Sequence, residues 1–323
     1  MGTMRDVLKT AQHVSGVSNH VRIRKEAIAS FSRKVYEDGI KVPPWSRTYH
    51  FYEGGRETVS YLLVLDSLNF CFWPASGETR WEITFGSRRL SGYFALAASL
   101  TKAMKEGIPL KRAEYLAGLS LEGLREILGG RGELQLMEER VRILNELGHV
   151  LLEKYNGEAS GFVEAAAGSA EKLVGLLVEK VTSFRDVAEY RGQKVYFYKR
   201  AQIFCADLYG AFEGTRRGRF EDIGRLTAFA DYKLPQVLRH LEILHYDEDL
   251  AQRIDQMVPL VAGSPEEVEI RANTISAVDM IREELARLGR PLRAFEADWI
   301  LWNLGQSEVF TARPYHRTVT IFY

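Results

Sequence analysis

Apolar residues recur at three- and four-residue spacing through most of the chain. The pattern is clear in KEAIASFSRKVYEDG (25–39), SGYFALAASLTKAMKEG (91–107) and LQLMEERVRILNELGHVLLEKY (134–155). Such spacing puts one apolar stripe on a helix, so these segments are predicted to be helices that pack through that stripe. Their ends are punctuated: Gly39, Gly107 and Gly289 follow periodic stretches, and Pro43, Pro109 and Pro291 come soon after. Ser264-Pro265-Glu266-Glu267 reads as a helix start, with proline in the first turn and acids near the positive end of the helix dipole.

Strand signals are few. RWEITF (80–85) and RTVTIFY (317–323) alternate with a period of two. The run YLLVLDSLNFCFWP (61–74) is apolar enough for a buried strand or a buried helix, and its pattern does not choose between them. The expected fold is therefore mainly α, with a small β-sheet. Its 323 residues are at the upper edge of what one core supports, so one large domain is expected, with room for two lobes meeting near 157–161.

Charge narrows the chemistry. Forty-three basic residues balance forty-three acidic ones, which gives no prior for a nucleic-acid polymer, normally held by a basic surface. Small ligands are favoured, and a local phosphate pocket stays open. The two cysteines, Cys71 and Cys205, lie in apolar runs without paired-cysteine spacing, as buried thiols of a reducing compartment would. MGTMRDVLKTAQ lacks the apolar stretch of a secretory signal, and no run is long enough to span a membrane. A cytoplasmic, monomeric protein is expected. The phosphate loop, dinucleotide fingerprint and nucleophile elbow are all absent. Glu146 and His149 have metal-like spacing but no second pair, so no metal and no cofactor are expected.

Three stretches could carry chemistry. VYFYKRAQIFCADLYGAF (195–212) is apolar almost all round, as in a core helix, yet Lys199, Arg200, Gln202 and Asp207 interrupt it. Such charges either form structural pairs or face a pocket, where Lys199 or Arg200 could meet a phosphate. In RLTAFADYKLPQVLRHLEIL (225–244), Asp231 precedes a predicted helix PQVLRHLEIL, and Pro235 biases Leu234 away from helical geometry. Capping that helix is the simpler role for Asp231. A carboxylate between Phe229 and Tyr232 also suits a nucleobase site, with rings to stack on and an anion to balance positive charge. In PLRAFEADWILWNLGQ (291–306), Asp298 and Trp302 share a helical face, joined by Gln306 if the helix continues past Gly305. A core tryptophan beside a satisfied acid accounts for that spacing more simply.

Together FYKRAQIFCADLYGAF, LTAFADYKLPQVLR, DWILWNLG and HRTVTIFY resemble the queuosine salvage family, whose members are queuosine 5′-phosphate N-glycosylases. The likeness runs from SNHVRI near the start to the last residue, and the pairing of YKRAQ with FADYKLPQ is its most specific part. It implies hydrolysis of queuosine 5′-phosphate to queuine and ribose 5-phosphate, on a helical fold similar to DNA glycosylases. It also implies Asp231 as the catalytic residue and His20, Phe229, Asp298, Trp302 and Gln306 as base contacts. Asn303 stands where relatives often carry an acid.

Cleaving an N-glycosidic bond builds positive charge on the sugar, which Asp231 would stabilise or attack. Queuine is a 7-deazapurine and lacks the ring nitrogen that purine hydrolases usually protonate, so its departure must be helped through other atoms. Lys199, Arg200 or Lys233 are candidates for the 5′-phosphate, with His316 and Arg317 behind them. Two other readings remain at this level: a base-excision glycosylase acting on polymeric nucleic acid, and a non-catalytic queuine- or nucleotide-binding protein.

Overall fold

The computed structural model describes residues 2–323. Among them are fifteen α-helices and three two-stranded antiparallel ladders, a mainly α fold with minimal sheet, as the periodicity requires. Pro265–Arg287 is the central helix, buried on every side from Glu267 to Asp279. It packs against Met4–Val17, Lys25–Glu37, Lys233–His240 and Ala294–Leu304. Ser264 accepts the Glu267 N–H at its start and Pro265 stands in its first turn, so the predicted helix start holds.

The buried apolar side chains form two large clusters and one small one. The first gathers Arg56–Ser67, Gly92–Lys105, Met137–Tyr155, Ala170–Lys180 and Lys199–Ala211. The second joins Lys25–Glu37, Lys233–His240 and the central helix, and the third holds Phe70, Cys71, Trp73 and Ile143. In the first, Gly148 permits close helix contact, since a Cβ there would lie 2.4 Å from the Ala117 nitrogen.

Most of RWEITF forms one strand of a hairpin, Glu82–Phe85, paired with Arg88–Ser91. Val21–Ile23 pairs with Leu244–Tyr246, tying the start of the chain to its last third. RTVTIFY, by contrast, is not a strand. It runs as irregular chain whose backbone bonds reach separate partners: the Tyr323 carbonyl accepts the Cys71 N–H, and the Arg317 carbonyl accepts the Leu260 N–H. The alternation there does not sort apolar from polar by burial, since Thr318 and Thr320 are buried while Val319 is exposed. The run 61–74 is helical to Ser67 and irregular beyond it.

That irregular stretch is held by buried cations. Arg200 donates to the Ser67 carbonyl, Arg140 to those of Leu68, Phe70 and Cys71, and Lys199 to that of Asn69. A helix C-terminus leaves carbonyls unpaired at its negative end, so donors that carry charge suit it. This explains how a core helix tolerates Lys199 and Arg200. That helix also begins later than its apolar run suggests, at Lys199, after the strand Gln193–Tyr196 and a left-handed Tyr198.

Candidate active site

A cavity of about 360 Å³ draws its wall from all three clusters, including Phe70, Tyr93, Phe229, Tyr232 and Trp302. Asp231, Lys199, Asp298, Lys233 and Gln306 line it as well. The catalytic residue and base contacts predicted from the sequence therefore converge, with one exception. His20 is absent from the wall. Its Nδ1 lies 2.6 Å from Asp247 Oδ2, and its backbone N–H donates to the buried Glu269. Its surroundings place it as a brace at the Val21–Ile23 ladder.

Asp231 sits just before the helix Lys233–His240, and its Oδ1 accepts the N–H groups of Lys233 at 2.8 Å and Leu234 at 2.9 Å. This double cap makes Leu234 helical, overriding the extended bias that Pro235 imposes. Pro235 itself removes no hydrogen bond from the helix, because an N–H at the third position has no intrahelical partner to lose. Among the described residues, Oδ2 accepts no hydrogen bond. The cap thus takes one oxygen and leaves the other free of hydrogen bonds within the described residues. Burial raises the Asp231 pKa above the ordinary carboxylate value, while Lys199 and the two backbone donors pull it back.

Lys199 is the counter-charge. Burial pushes its pKa down to about 8, opposed first by Asp231. Replacing Lys199 by Met removes the main charge favouring the Asp231 anion. The acid limb of a pH–rate profile is then expected to move to higher pH; an unmoved limb would show that Lys199 does not set the state of Asp231.

The other walls are aromatic and amide. Asp298 Oδ2 accepts the Phe229 N–H at 2.7 Å, which locks the Ala294–Leu304 helix to the Asp231 loop. Burial raises the Asp298 pKa well above its usual range, opposed by that hydrogen bond. Trp302 meets Phe94 and Tyr93 edge-on, with ring centroids 5.4 and 5.8 Å away. Tyr232 lies 4.6 Å from Tyr315, centroid to centroid. Gln306 falls beyond the helix end, yet reaches the rim, where its Nε2 donates to the Trp302 carbonyl.

Several phosphate candidates are already engaged by partners within the protein. Arg200 is buried, donating to the Ser67 and Ser183 carbonyls. His316 is buried against Tyr323, and Arg317 lies over Trp73. Lys199 donates to Asn69. Lys233 and Arg80 are the remaining cations on the wall, and sequence reasoning misses Arg80 because it precedes a strand in a charged stretch. It misses Trp45, His50, Asn69 and Tyr93 as well; their segments carry no motif, and only folding brings them to the cavity.

The chain matches the family described as queuosine salvage protein over residues 49–323. A protein of Sphaerobacter thermophilus named queuosine 5′-phosphate N-glycosylase/hydrolase is 47% identical over 322 residues, covering 100% of this chain and 99% of its own. Proteins of the same name from Dictyostelium discoideum and Mus musculus are 36% and 38% identical, the first covering 100% of both chains and the second 88% of both. The aromatic cavity around Asp231 thus sits inside a match that spans nearly the whole chain, and the chain belongs to the queuosine salvage protein family.

Proposed function

We propose that this protein hydrolyses the N-glycosidic bond of queuosine 5′-phosphate, releasing queuine and ribose 5-phosphate. The observation that carries this reading is the free Oδ2 of Asp231, presented to an aromatic-walled cavity while its other oxygen is fixed by a helix start. A preorganised anion in a dry site stabilises developing positive charge far better than one in water. Asp231 faces the oxocarbenium-like sugar. Phe229, Tyr232 and Trp302 supply flat surfaces for the base, and Asp298 takes its guanine-like edge. Gln306 and Asn303 stand at the rim.

The 5′-phosphate is assigned to Lys233 and Arg80. Lys233 lies 5.7 Å from the centre of the Tyr315 ring and donates to Gln236, so it is held near the wall. Replacing Lys233 by Ala is expected to raise KM for queuosine 5′-phosphate at least tenfold, corresponding to about 1.4 kcal/mol, and to leave queuosine turnover unchanged. An equal effect on nucleotide and nucleoside would place the phosphate elsewhere.

The central experiment is chromatography of queuosine 5′-phosphate and of queuosine after incubation with the protein. Release of queuine with ribose 5-phosphate is expected from the nucleotide. Tight queuine binding with no base release over hours would instead make this a binding protein. Activity on a polymer that falls steeply with salt would point to a base-excision enzyme.

A further inference from the structure

Asp207 lines the same cavity and has no task in the reaction proposed above. It is 6% exposed, and its hydrogen-bond contact is the Tyr93 hydroxyl, 3.4 Å from Oδ2. Tyr93 in turn lies 2.8 Å from His50 Nε2, and His50 Nδ1 lies 2.5 Å from the Ser46 carbonyl. The protons along this relay can be counted. A carbonyl only accepts, so His50 Nδ1 carries a hydrogen. Burial pushes the His50 pKa down to about 4, so the ring is neutral and Nε2 is bare. The single Tyr93 proton therefore goes to Nε2. Only lone pairs of the Tyr93 oxygen remain to face Asp207, and a contact there needs the carboxyl's own proton.

We propose that Asp207 is held as a neutral carboxylic acid by the His50–Tyr93 relay and is the proton donor to the departing base. The other two acids of the cavity are built differently. Asp231 accepts two backbone N–H groups and Asp298 accepts one; Asp207 accepts no backbone N–H among the described residues.

The remaining groups facing Asp207 come from three elements. Asp66 and Tyr61 stand on the Arg56–Ser67 helix, and Asp66 is wholly buried with neither carboxyl oxygen hydrogen-bonded. Two such neighbouring carboxyls resist ionising together. Against them, the Trp45 indole N–H, the Tyr93 hydroxyl when its proton turns to Asp207, and Lys199 favour the Asp207 anion, though the indole nitrogen is left without a hydrogen-bond partner. Burial prevails and pushes Asp207 up to about 7.

The step rests on the reaction proposed above. As the bond between C1′ and the base nitrogen breaks, its electron pair stays with the base. The Asp207 proton passes to the base, which leaves as neutral queuine. Water adds its oxygen to C1′ and gives up one proton, which restores Asp207. One water is consumed, with no net proton.

The test compares wild type and Asp207→Asn on two substrates: queuosine 5′-phosphate and 4-nitrophenyl β-D-ribofuranoside 5-phosphate, whose phenolate leaves without protonation. On the natural substrate, kcat is expected to fall about 10²- to 10⁴-fold with KM little changed. On the nitrophenyl substrate the variant is expected to stay near wild type. Equal losses on both, or no loss on the first, would overturn the assignment. Wild-type protein that releases no queuine would overturn the reaction itself. Tyr93→Phe gives an independent reading that survives misfolding of the first variant. Losing the acceptor of the acid proton should move the alkaline limb of the kcat profile to lower pH, whereas an unmoved or raised limb contradicts the proton count.

Discussion

Asp231→Asn is expected to lower kcat for base release by about 10³-fold or more, with KM within a few-fold of wild type. The amide keeps the side-chain shape and can still accept the N–H groups of Lys233 and Leu234 through its oxygen. What disappears is the negative charge on the side facing the cavity. Because that charge matters only as the sugar becomes positive, its loss appears in kcat rather than in binding. The sign of the pH dependence follows. Asp231 must be ionised, and burial raises its pKa, so the acid limb should lie above the ordinary carboxylate value near about 4. Single-turnover measurement of queuine release checks both points. Near wild-type kcat in the Asn variant would remove Asp231 from the mechanism.

The largest effect on stability is expected at Arg271, in the middle of the central helix. Its two terminal nitrogens lie 2.9 and 2.6 Å from the two oxygens of Asp186, and its Nε donates to the Ala230 carbonyl at 3.1 Å. The guanidinium is layered between Phe197 and Tyr323, 3.9 and 4.4 Å from their ring centres. Arg271 and Asp186 are both almost wholly buried. Arg271→Ala would strand the Asp186 charge in the core and is expected to cost about 3–5 kcal/mol in denaturant unfolding. Arg271→Met combined with Asp186→Leu should recover only part of that loss, since the Asp186 charge is gone but the equally buried Glu267, 3.7 Å from Arg271, still loses its cation. A loss below about 1 kcal/mol in the single variant would show that the pair contributes little. The contact with Ala230 also ties this core to the residue before Asp231, so the single variant should lose activity before it loses helix content.

Much of the site is legible in the sequence because family resemblance and local chemistry meet on the same residues. Asp231, Phe229, Tyr232 and Lys199 come from two segments whose polar interruptions of apolar runs are visible without coordinates. Asp298 and Trp302 share a face because four residues make about one helical turn. His20, offered as a base contact by the resemblance alone, lies off the cavity wall, with its ring held by Asp247 far along the chain. Arg200 fails for a related reason. Charge alone suggests phosphate, whereas the partners are main-chain carbonyls that no sequence pattern reveals.

By itself the sequence determined the helical class, the helix stops before Gly39, Gly107 and Gly289, the helix start at Ser264, and the family. These depend on local periodicity, capping and motif, which operate over a few turns of chain. Tertiary structure alone decided that RTVTIFY has no partner strand among the described residues, that one oxygen of Asp231 caps a helix while the other stays free, and that Asp207 meets Tyr93, which in turn meets His50. Each of those depends on contacts the local pattern does not encode, where burial and hydrogen-bond partners drawn from distant segments fix the charge of a group.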